Sequence, residues 1–154
     1  MRRDVIEAYV EKLLATLTEK DRVVPDDDGD YPVRYGSALY YVRLVGEARP
    51  DVQVFAIAVA GLDATPELLA DLNDINTRAR FARVFHVRDQ VLVETDLVGD
   101  AIDPSGFFNA CRTVARITDD IGPGLVAQHG GTTAFDDAKE VGYQPPDPPV
   151  GLYL

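Results

Sequence analysis

Residues 4–19 carry apolar side chains at spacings of three and four, with Ile6, Tyr9, Val10, Leu13, Leu14 and Leu17 on one stripe. That periodicity predicts an amphipathic helix, with acids near its start and Lys20 at its end to suit the dipole. Pro25-Asp-Asp-Asp-Gly-Asp30 then reads as a turn or exposed loop. Beyond it the period shortens: Tyr31–Tyr35 and Ala38–Val45 are rich in Tyr and Val, as strands are. Gly36-Ser37 between them fits a bulge or a bend within one long strand. Gly46–Pro50 makes a hairpin loop, and Val52–Ala60 returns as a strand whose Val54–Ala60 stretch is apolar on both faces, as expected of a central strand.

A second helix opens with Thr65 as cap, Pro66 in the first turn and Glu67 at the positive end. Leu68, Leu69, Leu72, Ile75 and Ala79 form its buried stripe. Phe81–Val87 and Val91–Leu97 form a second strand pair about a tight turn at Arg88-Asp89-Gln90. The third helix opens at Asp103-Pro104, and Gly122-Pro123-Gly124 predicts its end. The order is helix, two or three strands, helix, two strands, helix. Short hairpins between consecutive strands imply an antiparallel sheet with the helices packed on one face, an α+β layer. The pattern predicts one domain over residues 1–135 and a proline-rich tail over 136–154.

Charge narrows the partners. Asp and Glu number 26 against 15 Lys and Arg, a net charge of −11, which counts against nucleic acid and anionic membranes, since both need a basic face. A single cysteine, Cys111, excludes an intramolecular disulfide and a Cys-cluster zinc site. Asp4, Glu7 and Glu11 interrupt any signal-peptide core, and no apolar run approaches the roughly 20 residues of a membrane span. A soluble cytoplasmic domain is expected.

Catalytic chemistry is poorly supplied. Neither Ser37 nor Ser105 sits in a nucleophile elbow, Cys111 lies on the apolar stripe of its helix, and His86 alternates with Val84 as a half-buried strand residue. The acidic run Asp26, Asp27, Asp28, Asp30 fails as a calcium loop, because Tyr31 and Ser37 stand where such a loop needs Gly and Glu. Gly122-Pro-Gly124 follows a helix, and Gly130-Gly131 lacks the Lys-Ser/Thr of a phosphate loop. No catalytic residue, metal ligand or cofactor is assigned.

Two features look like binding. Asn73 and Asn76 lie within the second helix, where Asn is a poor interior residue; either their amides bond a neighbouring strand or loop, or they touch a partner. Arg78, Arg80, Arg83 and Arg88 form a basic island, serving helix-dipole and cross-hairpin ion pairs with Glu94 or Asp96, or an acidic partner.

Leu72-Asn-Asp-Ile-Asn76 followed by the Phe81–Leu97 hairpin, in this order of elements, resembles the YbjN domain and type III secretion chaperone-like (CesT-like) group. Leu125-Val-Ala-Gln-His-Gly-Gly131 with Phe135 is similar to the ending of its actinobacterial members, with His129 where an aromatic residue commonly precedes the glycine pair. The resemblance spans about residues 4–135. It implies a secretion-chaperone fold, often dimeric, that binds other polypeptides without cofactor or catalytic residues. An extended client would then add to a sheet edge at Tyr31, Val33 and Tyr35, with Tyr40 and Tyr41 as nearby contact surface, unless these tyrosines belong to the core or a dimer interface. Asn73, Asn76 and Arg83 complete the candidate contacts. The tail, ending in Leu152-Tyr-Leu154, would occupy a groove on its own or a neighbouring subunit. The alternative is an acidic regulatory protein that docks one partner through Arg78–Arg88 or the tail.

Overall fold

The computed structural model of the protein describes residues 2–35 and 38–133; the tail over 136–154 lies outside the described residues. The elements are α1 (Arg3–Thr18), β1 (Tyr31–Tyr35), β2 (Ala38–Val45), β3 (Asp51–Ala60), α2 (Pro66–Arg78), β4 (Arg83–Val87), β5 (Gln90–Leu97) and α3 (Pro104–His129), with a short 3-10 turn at Gly99–Ala101 before α3. The described strands form one antiparallel sheet in the order β1-β2-β3-β5-β4. Among the described residues, no helix is long and apolar enough to cross a membrane.

The helix starts follow local chemistry. Thr65 Oγ1 accepts from the Leu68 N–H at 3.1 Å, and Asp103 Oδ1 accepts from the Gly106 N–H at 2.7 Å. A proline follows each cap, where its missing N–H is not needed. The β4–β5 turn puts Arg88 and Asp89 at φ 48° and 62°, the paired positive values of the two-residue turn that matches strand twist.

Two expectations are corrected. Gly36-Ser37 does not kink one long strand: Tyr35 faces Ala38 and Tyr31 faces Val42, so β1 folds back on β2 as an antiparallel hairpin. Nor does Gly122-Pro123-Gly124 end α3, which runs on to His129. Pro123 removes a helical donor, a change that costs about 3 kcal/mol in an ordinary helix interior. Packing outweighs it, because Leu125 is buried in the core. Gly122 also sits so near β3 that a Cβ there would stand 3.3 Å from the Ala58 carbonyl oxygen.

β3 lies centrally and is buried on both faces. Its inner face (Val52, Val54, Ala56, Ala58) shares one core with Tyr40 and Val42 of β2, Val91 and Val93 of β5, and the buried stripes of all three helices. Its outer face belongs to separate clusters made of sheet residues, with Phe55 against Tyr41 and Leu39, and Ile57 against Leu92.

Candidate functional site

The two outer strands of the sheet differ. At β4 the Asn76 side chain reaches down from α2 and takes both backbone groups of Val84: Nδ2 donates to the carbonyl oxygen at 2.7 Å, and Oδ1 accepts from the N–H at 2.9 Å. A primary amide presents an N–H donor and a C=O acceptor side by side on one edge, as a paired strand does to a residue facing it, so Asn76 stands in for the next strand and closes this edge at Val84. The interior asparagine that local propensity disfavours is therefore held by a strand edge eight residues on. Asn73, one turn earlier, is exposed on α2.

β1 is the other outer strand. Pro32 lies within it, a residue that sheets accept at their edges. Its inward side chains are spent on the core: Val33 is buried, and the buried Tyr31 hydroxyl donates to Glu11 Oε1 at 2.7 Å. Burial, then the bond to Glu11, pushes the Tyr31 phenol above its ordinary range. Tyr35, at the hairpin end, is 54% exposed.

Beneath Tyr35 opens a cavity of about 470 Å³. Thr16 and Leu17 of α1, Tyr35 and Tyr40 of the hairpin, and Phe108, Cys111 and Arg112 of α3 line it. The buried Tyr40 hydroxyl lies against the Cys111 thiol, and burial raises both groups, the thiol to about 12. Cys111 is thus a neutral, unreactive wall at ordinary pH. The cavity is a mostly apolar recess with one cation at its rim, suited to a hydrophobic side chain beside a carboxylate.

Tyr41 does not join this site. It points to the outer face, stacks on Phe55 at 5.3 Å between ring centroids, and is pushed up to about 12 by burial. Arg83 is also on that face, paired to Glu94 and lying 3.6 Å from Asp96, with its guanidinium over Phe85. Arg43 lies over Phe55 and grips Asp30 with two bonds of 2.5 Å. Burial raises the Asp30 carboxyl, and the Arg43 bond opposes that rise. The carboxylates of Asp26, Asp28 and Asp30 lie close together. Asp26 Oδ1 already accepts the N–H groups of Asp28 and Asp30, so they build the acidic turn itself. His86 Nε2 stands 2.6 Å from the Leu62 carbonyl oxygen, a satisfied strand histidine.

The structure therefore brings Tyr35 and Tyr40 together, puts Tyr31 and Val33 in the core beside them, and leaves Asn73, Asn76, Tyr41 and Arg83 elsewhere. Thr16, Leu17, Phe108 and Arg112 were not picked out from the sequence, because ordinary helix stripes converge into a recess only once α1, α3 and the hairpin meet.

Residues 4–137 match the sequence profile of the family described as T3SS (YopN, CesT) and YbjN peptide-binding chaperone 1. The chain belongs to this family. A comparison with curated proteins found no match. Solved structures share the fold at low identity. A chain of the ExsC–ExsE complex aligns with TM-score 0.59 and 12% identity, over 75% of this chain and 92% of its own length. A chain of the HopA1–SchA chaperone–effector complex gives 0.60 and 10%, over 77% and 94%. A chain from the Yersinia pestis type III secretion chaperone SycH, in complex with a stable fragment of YscM2, gives 0.53 and 15%, over 71% and 97%. Family and fold agree with the expected secretion-chaperone architecture, and membership in a family of peptide-binding chaperones accords with a chain that is not an enzyme.

Proposed function

We propose that the protein is a chaperone-like or adaptor module that takes an extended segment of another polypeptide along β1, with a side chain of that segment in the recess under Tyr35. The observation that carries this is the contrast between the edges: β4 is closed at Val84 by Asn76, while β1 lies beside a largely apolar cavity. Strand addition supplies affinity from main-chain bonds, and a pocket beside the edge supplies selectivity. The structures similar in fold are of complexes that contain chaperones, effectors or fragments, which supports the same class of role. The net charge of −11 supports a cytoplasmic, nucleic-acid-free setting in which a protein with an adhesive surface stays dispersed.

Binding to an array of extended peptides tests this. Leu17→Asp and Tyr35→Asp alter residues with exposed surface, so the fold survives them. Both variants are expected to lose binding while keeping the wild-type circular dichroism; retained binding in both refutes the site. We also infer a homodimer, supported by exposed apolar side chains at Phe81 and at Leu69 on α2, which the apolar stripe places inward but which turns out to solvent. Sedimentation showing a monomer throughout the micromolar range refutes that.

A further inference from the structure

A strand turns the N–H and C=O groups of successive residues to alternate sides, so parity decides which residues of β1 face its outer edge. Two observations at opposite ends of the sheet give the same answer. Just before β1, the Asp30 N–H donates to Asp26 Oδ1 at 2.9 Å, and the Asp30 carbonyl oxygen accepts from the Asp26 N–H at 2.7 Å. Asp30 spends both groups on its own turn rather than on β2, and Pro32 and Arg34 share its side of the strand. At the far edge Val84 spends both groups on Asn76, so Arg83 and Phe85 turn theirs to Glu94 and Leu92. Alternation then joins Val93 to Ala56, Phe55 to Tyr41 and Tyr40 to Val33. Pro32 and Arg34 again point outward.

The edge that β1 presents is therefore uneven. Asp30 has both groups engaged by Asp26. Pro32 is exposed and brings a carbonyl but no N–H. Arg34 is the first outward residue of β1 that carries a donor as well as an acceptor. A strand added alongside Pro32 sets one of its carbonyl oxygens against the pyrrolidine ring, with no donor to meet it. Shifted toward Tyr35, the same strand faces a residue that has both groups. Its own residues on either side of the one facing Arg34 then project to the inward face, beside Val33 and Tyr35. Tyr35 lines the recess.

We propose that Pro32 is a specificity-determining residue. It confines client pairing to the Arg34–Tyr35 end of β1, so that a client is selected by the side chain it sends into the recess and not by a long backbone ladder. This rests on the reading of β1 as the client edge and adds the register. The partner it fits is an extended polypeptide with an apolar residue next in sequence to the one facing Arg34. That apolar residue lies beside Tyr35, over the cavity walled by Leu17, Phe108 and Arg112. Such a segment gains few main-chain bonds, and a strand without the apolar anchor is released. Proline on an edge strand guards against indiscriminate pairing; between the Asp26–Asp30 turn and Arg34 it also selects.

Pro32→Ala, made in the 154-residue chain, restores the missing donor and tests this on the array of extended peptides. The expected result is binding about 3- to 10-fold tighter than wild type, the effect of one net hydrogen bond, with the wild-type circular dichroism kept. The gain extends to peptides whose apolar residues are changed to serine. Unchanged or weaker binding overturns the proposal. The new amide at position 32 reports the bond directly: its hydrogen exchange is expected to be fast in the free variant and slowed about 10-fold or more by a bound peptide. An amide already slow in the free variant, or one that peptide does not slow, overturns the proposal. Leu17→Asp and Tyr35→Asp separate the two claims. If both still bind peptide, or if no peptide binds wild type, the reading of β1 fails and this inference with it. If both lose binding while Pro32→Ala matches wild type, the role of Pro32 alone fails.

Discussion

Asn76→Ala isolates the device that closes the β4 edge. The substitution deletes two hydrogen bonds, of 2.7 and 2.9 Å, and leaves the Val84 N–H and C=O without them. At a net ~0.5–1.5 kcal/mol for each bond, the loss is about 1–3 kcal/mol. Asn76 stands at the surface, so water recovers part of each bond and the lower half of that range is expected. Alanine also favours the helix interior over asparagine by a few tenths of a kcal/mol, roughly, which offsets little. With a urea slope of about 2 kcal/mol per molar, the middle of the usual range, the midpoint falls by about 0.5–1 M while the slope stays fixed. Asn76→Asp sharpens the case. The carboxylate still accepts from the Val84 N–H but meets the carbonyl oxygen with a second acceptor, so it is expected to destabilise at least as much as alanine. Urea unfolding followed by circular dichroism gives the midpoints, and hydrogen exchange at the Val84 amide gives the local effect. A wild-type midpoint for Asn76→Asp, or an unchanged Val84 exchange rate in Asn76→Ala, would refute the peptide-mimic assignment.

Three further outcomes follow from the packing. Burial lifts the Cys111 thiol to about 12, so a chain unfolded above about pH 8.5 ionises while the folded one does not. The folded pKa of this acid is the higher one, so stability is full below that pH and falls by about 1.4 kcal/mol per unit above it, until the folded thiol itself ionises. Cys111→Ala should flatten that alkaline slope, and the native thiol should ignore disulfide reagents until urea unfolds the protein. Gly99→Ala places a Cβ 1.9 Å from the Pro50 carbonyl oxygen and 2.9 Å from Ile6 Cδ1, with backbone as the obstacle; a loss of several kcal/mol, on the order of the largest single-residue effects, is expected in thermal melts. Arg43→Ala strips the buried Asp30 of its two bonds and should cost about 3–5 kcal/mol; a loss under about 1 kcal/mol in urea titration would show that the pair is solvated.

Much of the fold was legible because its signals are local. Thr65-Pro66 and Asp103-Pro104 announce their helices within one turn of chain, and the doubly apolar Val54–Ala60 announces a central strand. The β1–β2 hairpin was not, and the reason is parity. A two-residue turn and a one-residue bulge shift the inward positions in the same way, from Tyr31 and Val33 to Ala38, Tyr40 and Val42, so alternation alone cannot separate them. The α3 extension through Pro123 was hidden because helix-stop rules count the lost donor and not the sheet that Gly122 and Leu125 rest on. The candidate site was the least legible part. Tyr35 and Tyr40 could be named from strand composition, but whether a tyrosine faces core, recess or outer sheet depends on layers that other elements supply.

The Asn76 clamp also sets the valence of the sheet. In polymer terms a sheet with two open edges is a bifunctional monomer and can propagate without limit. One whose β4 edge is stoppered at Val84 has one end of its ladder blocked there, so on the proposed reading growth is confined to the β1 side. The Asn76 side chain thereby acts as a chain terminator for the β4 end of the sheet.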